Sequence, residues 1–434
     1  MRIGTIHRSI LRIALPAIIS NVTVPLLGMV DTAIVGHLGR TSCIGAIAVG
    51  SLVFSIIYWL FGFLRASTSG LTSQALGENK EQLVAMHFYR SALLAIFIAL
   101  LLLLLQEPLA WIAFRWIDAS AEVEQLARTY FNVCIWGAPA VMLTKTCTGW
   151  FIGLQDTRSP MLVAIVQNLI NIPISLLLVF VCGWQVEGVA LGTVVAQYAG
   201  LVLALALRRI RYRQYCGRPM DISIGEMQAI GHLLAINRDI FLRTVCIVSV
   251  TAFFTAAGAR QGDLVLAANT LLLQLFYFFS YIMDGFANAG EALCGRMYGA
   301  RRMKALRAVV RALFVWGWGI ALLFTLVYVL CGRPFLAFLT DNVAVLGVSD
   351  AYFGWILAVP LAGFAAFLWD GVFVGLTATR SMFVSMLLAT VVFFFCWRLL
   401  DSGWGNHALW LSFVLYLLVR GLAQSVQFRF LISR

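Results

Sequence analysis

The chain has 434 residues, 62% of them hydrophobic and only 12% charged, against about 25% charged in an ordinary soluble domain. No soluble core takes up that much apolar sequence, so the solvent for most of the chain is a membrane. The net charge of +12 does not point to nucleic acid, because the arginines follow the loops between apolar segments instead of forming a folded basic domain.

Apolar segments of spanning length fall at Leu11–Val35, Ile44–Leu64, Phe88–Leu105, Leu126–Leu143, Met161–Val181 and Val186–Leu207. A polar, arginine-rich stretch follows, and then a second set at Ile240–Gly258, Leu264–Met283, Ala308–Leu330, Val345–Leu368, Met382–Leu400 and Ala408–Leu422. The sequence therefore predicts an all-α polytopic membrane protein with twelve transmembrane helices. An N-terminal lobe spans residues 1–207, a basic linker 208–235 and a C-terminal lobe 236–434. Arginines cluster at Arg2, Arg8 and Arg12, at Arg208, Arg209, Arg211, Arg213 and Arg218, and at Arg296, Arg301, Arg302, Arg307 and Arg311, whereas Arg40, Arg115, Arg260 and Arg333 stand alone. This positive-inside pattern places both termini and the linker in the cytoplasm of a multi-pass inner-membrane protein. Pro25, Pro139, Pro173 and Pro360 fall inside predicted spans, where each favours a kink; Pro25 and Pro173 are hinge candidates.

The two halves repeat one another. Gly153-Leu154-Gln155-Asp156-Thr157-Arg158-Ser159 returns in the second half as Gly375-Leu376-Thr377-Ala378-Thr379-Arg380-Ser381. The same numbering offset carries Tyr130-Phe131 onto Tyr352-Phe353, Gly77 onto Gly299 and Gly36 onto Gly258. With an even number of spans in each half, the repeat is parallel, two six-helix bundles related by an axis along the membrane normal, as many carriers build two lobes around a substrate path.

Ionisable side chains inside the membrane cost about 2.5–3.5 kcal/mol each on insertion scales and so mark function. In the first half these are Asp31 and the cation Arg65. Asn168 and Asn171 lie three apart on one face of the fifth span, able to hydrogen-bond a nearby carboxyl. Together with Asp31 they form a candidate coupling-ion site, or else a static polar clamp between helices. The second half carries Arg243, Asp284, Glu291 and Asp370, with Asp284 and Glu291 seven apart on one face of a helix. Arg243 could neutralise one of these acids. Under the repeat, Asp31 maps to Phe253, Asp284 to Gly62 and Asp370 to Thr148, so the scaffold repeats but the acids do not. A desolvated carboxyl can exchange a proton across a physiological pH difference. Sodium is the alternative, with Asp370, Asp284 and nearby carbonyls as oxygen ligands. The five histidines have no nucleophile or metal partner at motif spacing, the nine cysteines no zinc spacing, and no phosphate-binding Gly-Lys-Ser/Thr loop is present. An enzyme, a metal or a cofactor is not expected.

Together, Val30-Asp31-Thr32-Ala33, Phe63-Leu64-Arg65 with Thr68-Ser69-Gly70-Leu71, and the Gly153–Arg158 loop resemble the multidrug and toxic compound extrusion (MATE) transporters of the DinF-like branch. Asn168 with Asn171, Asn237-Arg238-Asp239, Asp284-Gly285-Phe286-Ala287 and Glu291-Ala292 extend that resemblance over the whole chain. It implies two six-helix bundles around a central cleft. It also implies a monomer in lipid that exports organic, often cationic and aromatic, compounds in exchange for protons or sodium. Asp31 would be the first-lobe proton site, with Asn168 and Asn171 beside it. Such proteins commonly carry an aspartate four residues after the second asparagine; here that residue is Ser175, so Asp31 stands without a second carboxylate. A lipid-linked glycan flippase of the same superfamily is the rival reading. It should line its path with several basic residues, of which Arg65 and Arg243 are the deep ones found.

Overall fold

A hydrocarbon solvent offers backbone groups no partner, so each spanning segment must satisfy its own hydrogen bonds as a helix. A computed structural model describes residues 3–36, 41–115, 120–216 and 227–433, and no strand occurs among them. The first half contains α1 (Ile3–Gly36), α2 (Thr41–Leu60), α3 (Phe63–Gly77), α4 (Glu81–Leu104), α5 (Gln106–Arg115), α6 (Ala121–Cys134), α7 (Ala138–Gly153), α8 (Arg158–Leu176) and α9 (Val186–Arg211). The second contains α10 (Met227–Ala259), α11 (Asp263–Gly299), α12 (Met303–Leu339), α13 (Val343–Gly375), α14 (Thr379–Trp404) and α15 (Asn406–Ser433). Ten helical stretches among the described residues are long and apolar enough to cross a membrane. The helix α1 and the broken rod α6–α7 are the other two of the twelve expected segments.

The prolines behave differently from one another. Pro139 does not kink a continuous span: the fourth rod breaks one turn earlier, in a 3₁₀ turn at Ile135–Gly137, and Pro139 lies in the first turn of α7, where no N–H is needed. Pro173 and Pro360 do lie inside helices, and a π turn at Leu177–Val181 follows Pro173. Pro25 is part of α1, but its side-chain surroundings fall outside the described residues. The second rod also differs between halves. It breaks at Phe61–Gly62 between α2 and α3, whereas α11 runs unbroken through the equivalent Met283–Asp284.

The repeat extends to individual backbone bonds. Asn79 and Arg301 have φ values of 56° and 55°, and Gln155 and Thr377 have 65° and 52°; the offset of the repeat relates the members of each pair. Each left-handed residue closes a helix in which the next N–H reaches back five residues. Lys80 N donates to Ala75 O (3.1 Å) and Arg302 N to Met297 O (2.9 Å), while Asp156 N donates to Phe151 O and Ala378 N to Phe373 O, both at 2.9 Å. The helix crossings repeat too. A Cβ at Gly149 of α7 would collide with the Arg65 carbonyl oxygen, and one at Gly153 would stand 2.7 Å from Ser69 O. In the second half Gly371 and Gly375 of α13 meet Ala287 O and Glu291 O of α11 in the same way. Both are Gly-x-x-x-Gly pairs, the small-residue spacing that lets two helix backbones touch.

By mutual packing the chain divides into residues 19–232 and residues 1–18 with 233–434. The start of α1, expected in the first lobe, thus packs within the second unit. Gly285 of α11 leaves room there for Ala14 and Ile18, and Trp316 Nε1 of α12 donates to His7 Nδ1 at 3.1 Å. Within the same unit a reciprocal amide pair ties α11 to α15: Asn269 Nδ2 donates to Asn406 Oδ1 (2.8 Å) and Asn406 Nδ2 to Asn269 Oδ1 (2.9 Å). Trp410 Nε1 adds a third bond to Asn269 Oδ1.

Candidate functional site

In the first unit, Asp31 lies near the end of α1 and is 5% exposed. It forms no ion pair among the described residues, and its Oδ1 has no hydrogen-bond partner there. Tyr130 and Cys134 of α6 lie within electrostatic reach of it. On α8, Asn168 Nδ2 donates to the Thr23 carbonyl oxygen of α1 (3.1 Å), and Asn171 Nδ2 to Thr193 Oγ1 of α9 (3.0 Å). The two expected asparagines therefore hold α8 between α1 and α9. Asn171 Oδ1 and Ser175 Oγ, one turn apart on α8, are buried without a partner among the described residues, like Asp31 Oδ1.

The second half fills the equivalent positions with rings. Asp31, Asn171 and Ser175 correspond to Phe253, Phe393 and Trp397. Phe253 packs edge-on against Phe393 (centroids 6.0 Å apart) and Trp397 (4.6 Å). Three residues that each have a buried polar atom without a partner among the described residues thus stand where the other half has an aromatic cluster.

Among the second-half acids, Asp370 is tied down. Arg243 of α10 and Arg420 of α15 both donate to Asp370 Oδ2, and Gln424 Nε2 donates to Oδ1 at 2.9 Å. The side chains of Arg243, Arg420 and Asp370 are 18%, 5% and 13% exposed. Of the expected second-lobe cluster, Arg243 and Asp370 are joined. Asp284 is exposed on α11 within electrostatic reach of Arg420, and Glu291 is buried at the α11–α13 crossing. Arg420 and Gln424 were not anticipated. They follow the apolar run Tyr416-Leu417-Leu418-Val419, and their i, i+4 spacing on one helix face was the available signal.

Arg65, expected as the buried cation of the first half, is partly exposed on a helix whose neighbouring residues are buried. Lys145 of α7, also unanticipated, lies within its electrostatic reach.

Comparison with known proteins follows the same division. The MatE family model matches the chain twice, over residues 16–177 and 240–397. The DNA damage-inducible protein F of Escherichia coli is 37% identical over 97% of this chain and 92% of its own. A probable multidrug resistance protein NorM of Thermotoga maritima is 25% identical over 79% of this chain and 74% of its own. In fold, the crystal structure of the Vibrio cholerae MATE transporter VcmN in the bent form matches with a TM-score of 0.85 at 19% identity, covering 98% of this chain and 97% of that one. A MATE crystal structure in the bent conformation matches at 0.88 and 17% identity, covering 100% and 98%. With one family model fitted to each half and a DinF relative aligned over nearly its full length, the chain belongs to the MATE family of multidrug efflux transporters, in its DinF-like branch.

Proposed function

We propose that this transporter is a proton-coupled antiporter that expels organic compounds across the inner membrane, with both termini in the cytoplasm and each monomer acting alone. The observation that carries the reading is the contrast between two of its membrane acids, Asp31 and Asp370. Asp370 is the shared counter-ion of two arginines, so its two oxygens are already taken by N–H donors. That speaks against Asp370 as a sodium ligand, since a bound cation would have to displace both guanidinium groups. Among the described residues Asp31 has no cationic partner, and its Oδ1, like Asn171 Oδ1 and Ser175 Oγ of α8, lacks a hydrogen-bond partner. A proton on Asp31 would supply a donor, and Asn171 Oδ1 and Ser175 Oγ, whose second-half counterparts Phe393 and Trp397 pack against Phe253, are its candidate acceptors.

In this mechanism the outward-facing state takes a proton on Asp31, and the new O–H bonds to α8. The repacking of α1 against α8 then lowers the affinity for substrate, which leaves outward. Return to the inward-facing state releases the proton to the cytoplasm and opens the site to the next substrate. Exchange follows only if proton and substrate differ in affinity for the two states in opposite senses. Solved relatives described in bent and outward-facing conformations support a scaffold with more than one state.

The test is proton release. Addition of a transported dye to the purified protein in weakly buffered detergent should acidify the solution in the wild type and not in Asp31→Asn. Equal acidification by the variant sinks the assignment of Asp31.

A further inference from the structure

The face of α11 that packs on α12 and α13 is apolar, with Leu272, Leu275, Phe279 and Met283 buried there. Its opposite face is polar. Thr270, Gln274, Tyr277, Tyr281, Asp284 and Asn288 recur at steps of three and four residues, so they share one side of the helix. Thr270, Gln274, Tyr277 and Asp284 are exposed, and Tyr281 and Asn288 are partly so. Outward faces suited to lipid look different: α12 presents Val315, Leu322 and Leu326, and α14 presents Leu388, Val391 and Phe395. An ionisable group at membrane depth is kept where it meets water or a partner, not hydrocarbon. The stripe on α11 is therefore the lining of a hydrated path.

The repeat sets this stripe apart. Gln274, Tyr277, Tyr281 and Asp284 correspond to Leu52, Ser55, Trp59 and Gly62 of the first half, where Leu52 and Trp59 are exposed apolar side chains. Within the second unit, Gly285 follows Asp284 and seats Ala14 and Ile18 of α1 against α11, which puts a wall beside the stripe. Tyr281 lies within electrostatic reach of Asp284. Arg420 does too, but its guanidinium already donates to Asp370. We infer that Asp284, with the rings of Tyr277 and Tyr281, receives the charged group of the exported compound: an ammonium or amidinium on an aromatic body. Its charge meets the carboxylate and its apolar rim meets the rings, whose faces attract a cation. The second half then reads the charge of the cargo, and Asp31 in the first is left to the proton. This inference deepens the efflux reading and rests on it.

The test uses two fluorescent dyes that share one aromatic body, one ending in a trimethylammonium group and one in its uncharged isostere, a tert-butyl group. Binding is measured by polarisation on purified wild type, Asp284→Asn, Asp284→Glu, Tyr281→Leu and Tyr281→Phe. The wild type should bind the ammonium dye about tenfold more tightly, the size of one exposed charge pair joined to one cation–ring contact. Asp284→Asn should lose that preference while binding the tert-butyl dye as before, and Asp284→Glu should keep it. Tyr281→Leu should narrow the preference and Tyr281→Phe should not; should Asp284→Asn fail to fold, this pair decides. Equal binding of the two dyes by the wild type, or an unchanged preference in Asp284→Asn or Tyr281→Leu, overturns the inference. A parallel weakening of both dyes in a folded Asp284→Asn also overturns it, as expected of a carboxylate that serves Arg420 alone. An ammonium preference that depends on Asp284, in protein that moves neither dye under a pH or a sodium gradient, refutes the efflux reading and leaves the binding face standing.

Discussion

Replacing Asp370 by asparagine removes the one charge that holds two arginines together. Arg243 and Arg420 donate to the same carboxylate oxygen and are at most 18% exposed, so neither can turn to water. Breaking a buried pair by deleting one partner costs about 3–5 kcal/mol, and two like charges are left adjacent here. The unit containing this cluster comprises residues 1–18 and 233–434. For a unit of that size each kcal/mol lowers Tm by about 2–4 °C, which gives a fall of roughly 6–20 °C. Fluorescence-detected gel filtration after a heating series reads this directly. The double variant Asp370→Asn/Arg420→Met should recover at least half of the loss, because it restores one carboxamide to one guanidinium. A fall below about 2 °C in the single variant, or a double variant less stable than the single, refutes the triad as a structural tie.

Valine at Gly149 or Gly371 should cost about 1–3 kcal/mol or more, since the new side chain meets a backbone carbonyl that cannot yield without moving a helix; the equivalence of the two crossings predicts similar losses in the same heating assay. Asn269→Leu should destabilise by about 2–5 kcal/mol, because it strands the Asn406 amide and the Trp410 indole N–H inside the bundle. Stability within about 0.5 kcal/mol of wild type would show that water replaces the lost partner. Asp31→Asn should differ from all of these, with a change of about 1 kcal/mol or less, because Asp31 forms no ion pair among the described residues.

The spanning helices and the register of the repeat were legible because hydropathy and the Gly-Leu-x-x-Thr-Arg-Ser loop recur in the residues themselves. The matching left-handed turns were not, since Asn79 pairs with Arg301 and Gln155 with Thr377. Backbone geometry recurs there while side-chain identity does not. The close crossings were written in Gly149-x-x-x-Gly153 and Gly371-x-x-x-Gly375, a spacing masked by the many other glycines of the chain. The sequence marked Asp31, Asn168 and Asn171 as one candidate site, but it could not distinguish the acid that forms no ion pair among the described residues from the acid that holds two arginines. That difference depends on Arg420, contributed by the last helix and remote in sequence from Asp370. The packing of residues 1–18 with the second unit was equally hidden, because α1 reads as one uninterrupted segment and its partners Trp316 and Gly285 lie in the far half of the chain.

The most direct test of proton coupling at Asp31 is dye flux in proteoliposomes under a pH gradient with no sodium, then under a sodium gradient at symmetric pH. Wild type, Asp31→Asn and protein-free liposomes are compared. Wild-type protein should move dye under the pH gradient alone, and Asp31→Asn, equally well folded, should not. Flux driven by sodium alone, or undiminished pH-driven flux through Asp31→Asn, would contradict proton exchange at this carboxyl.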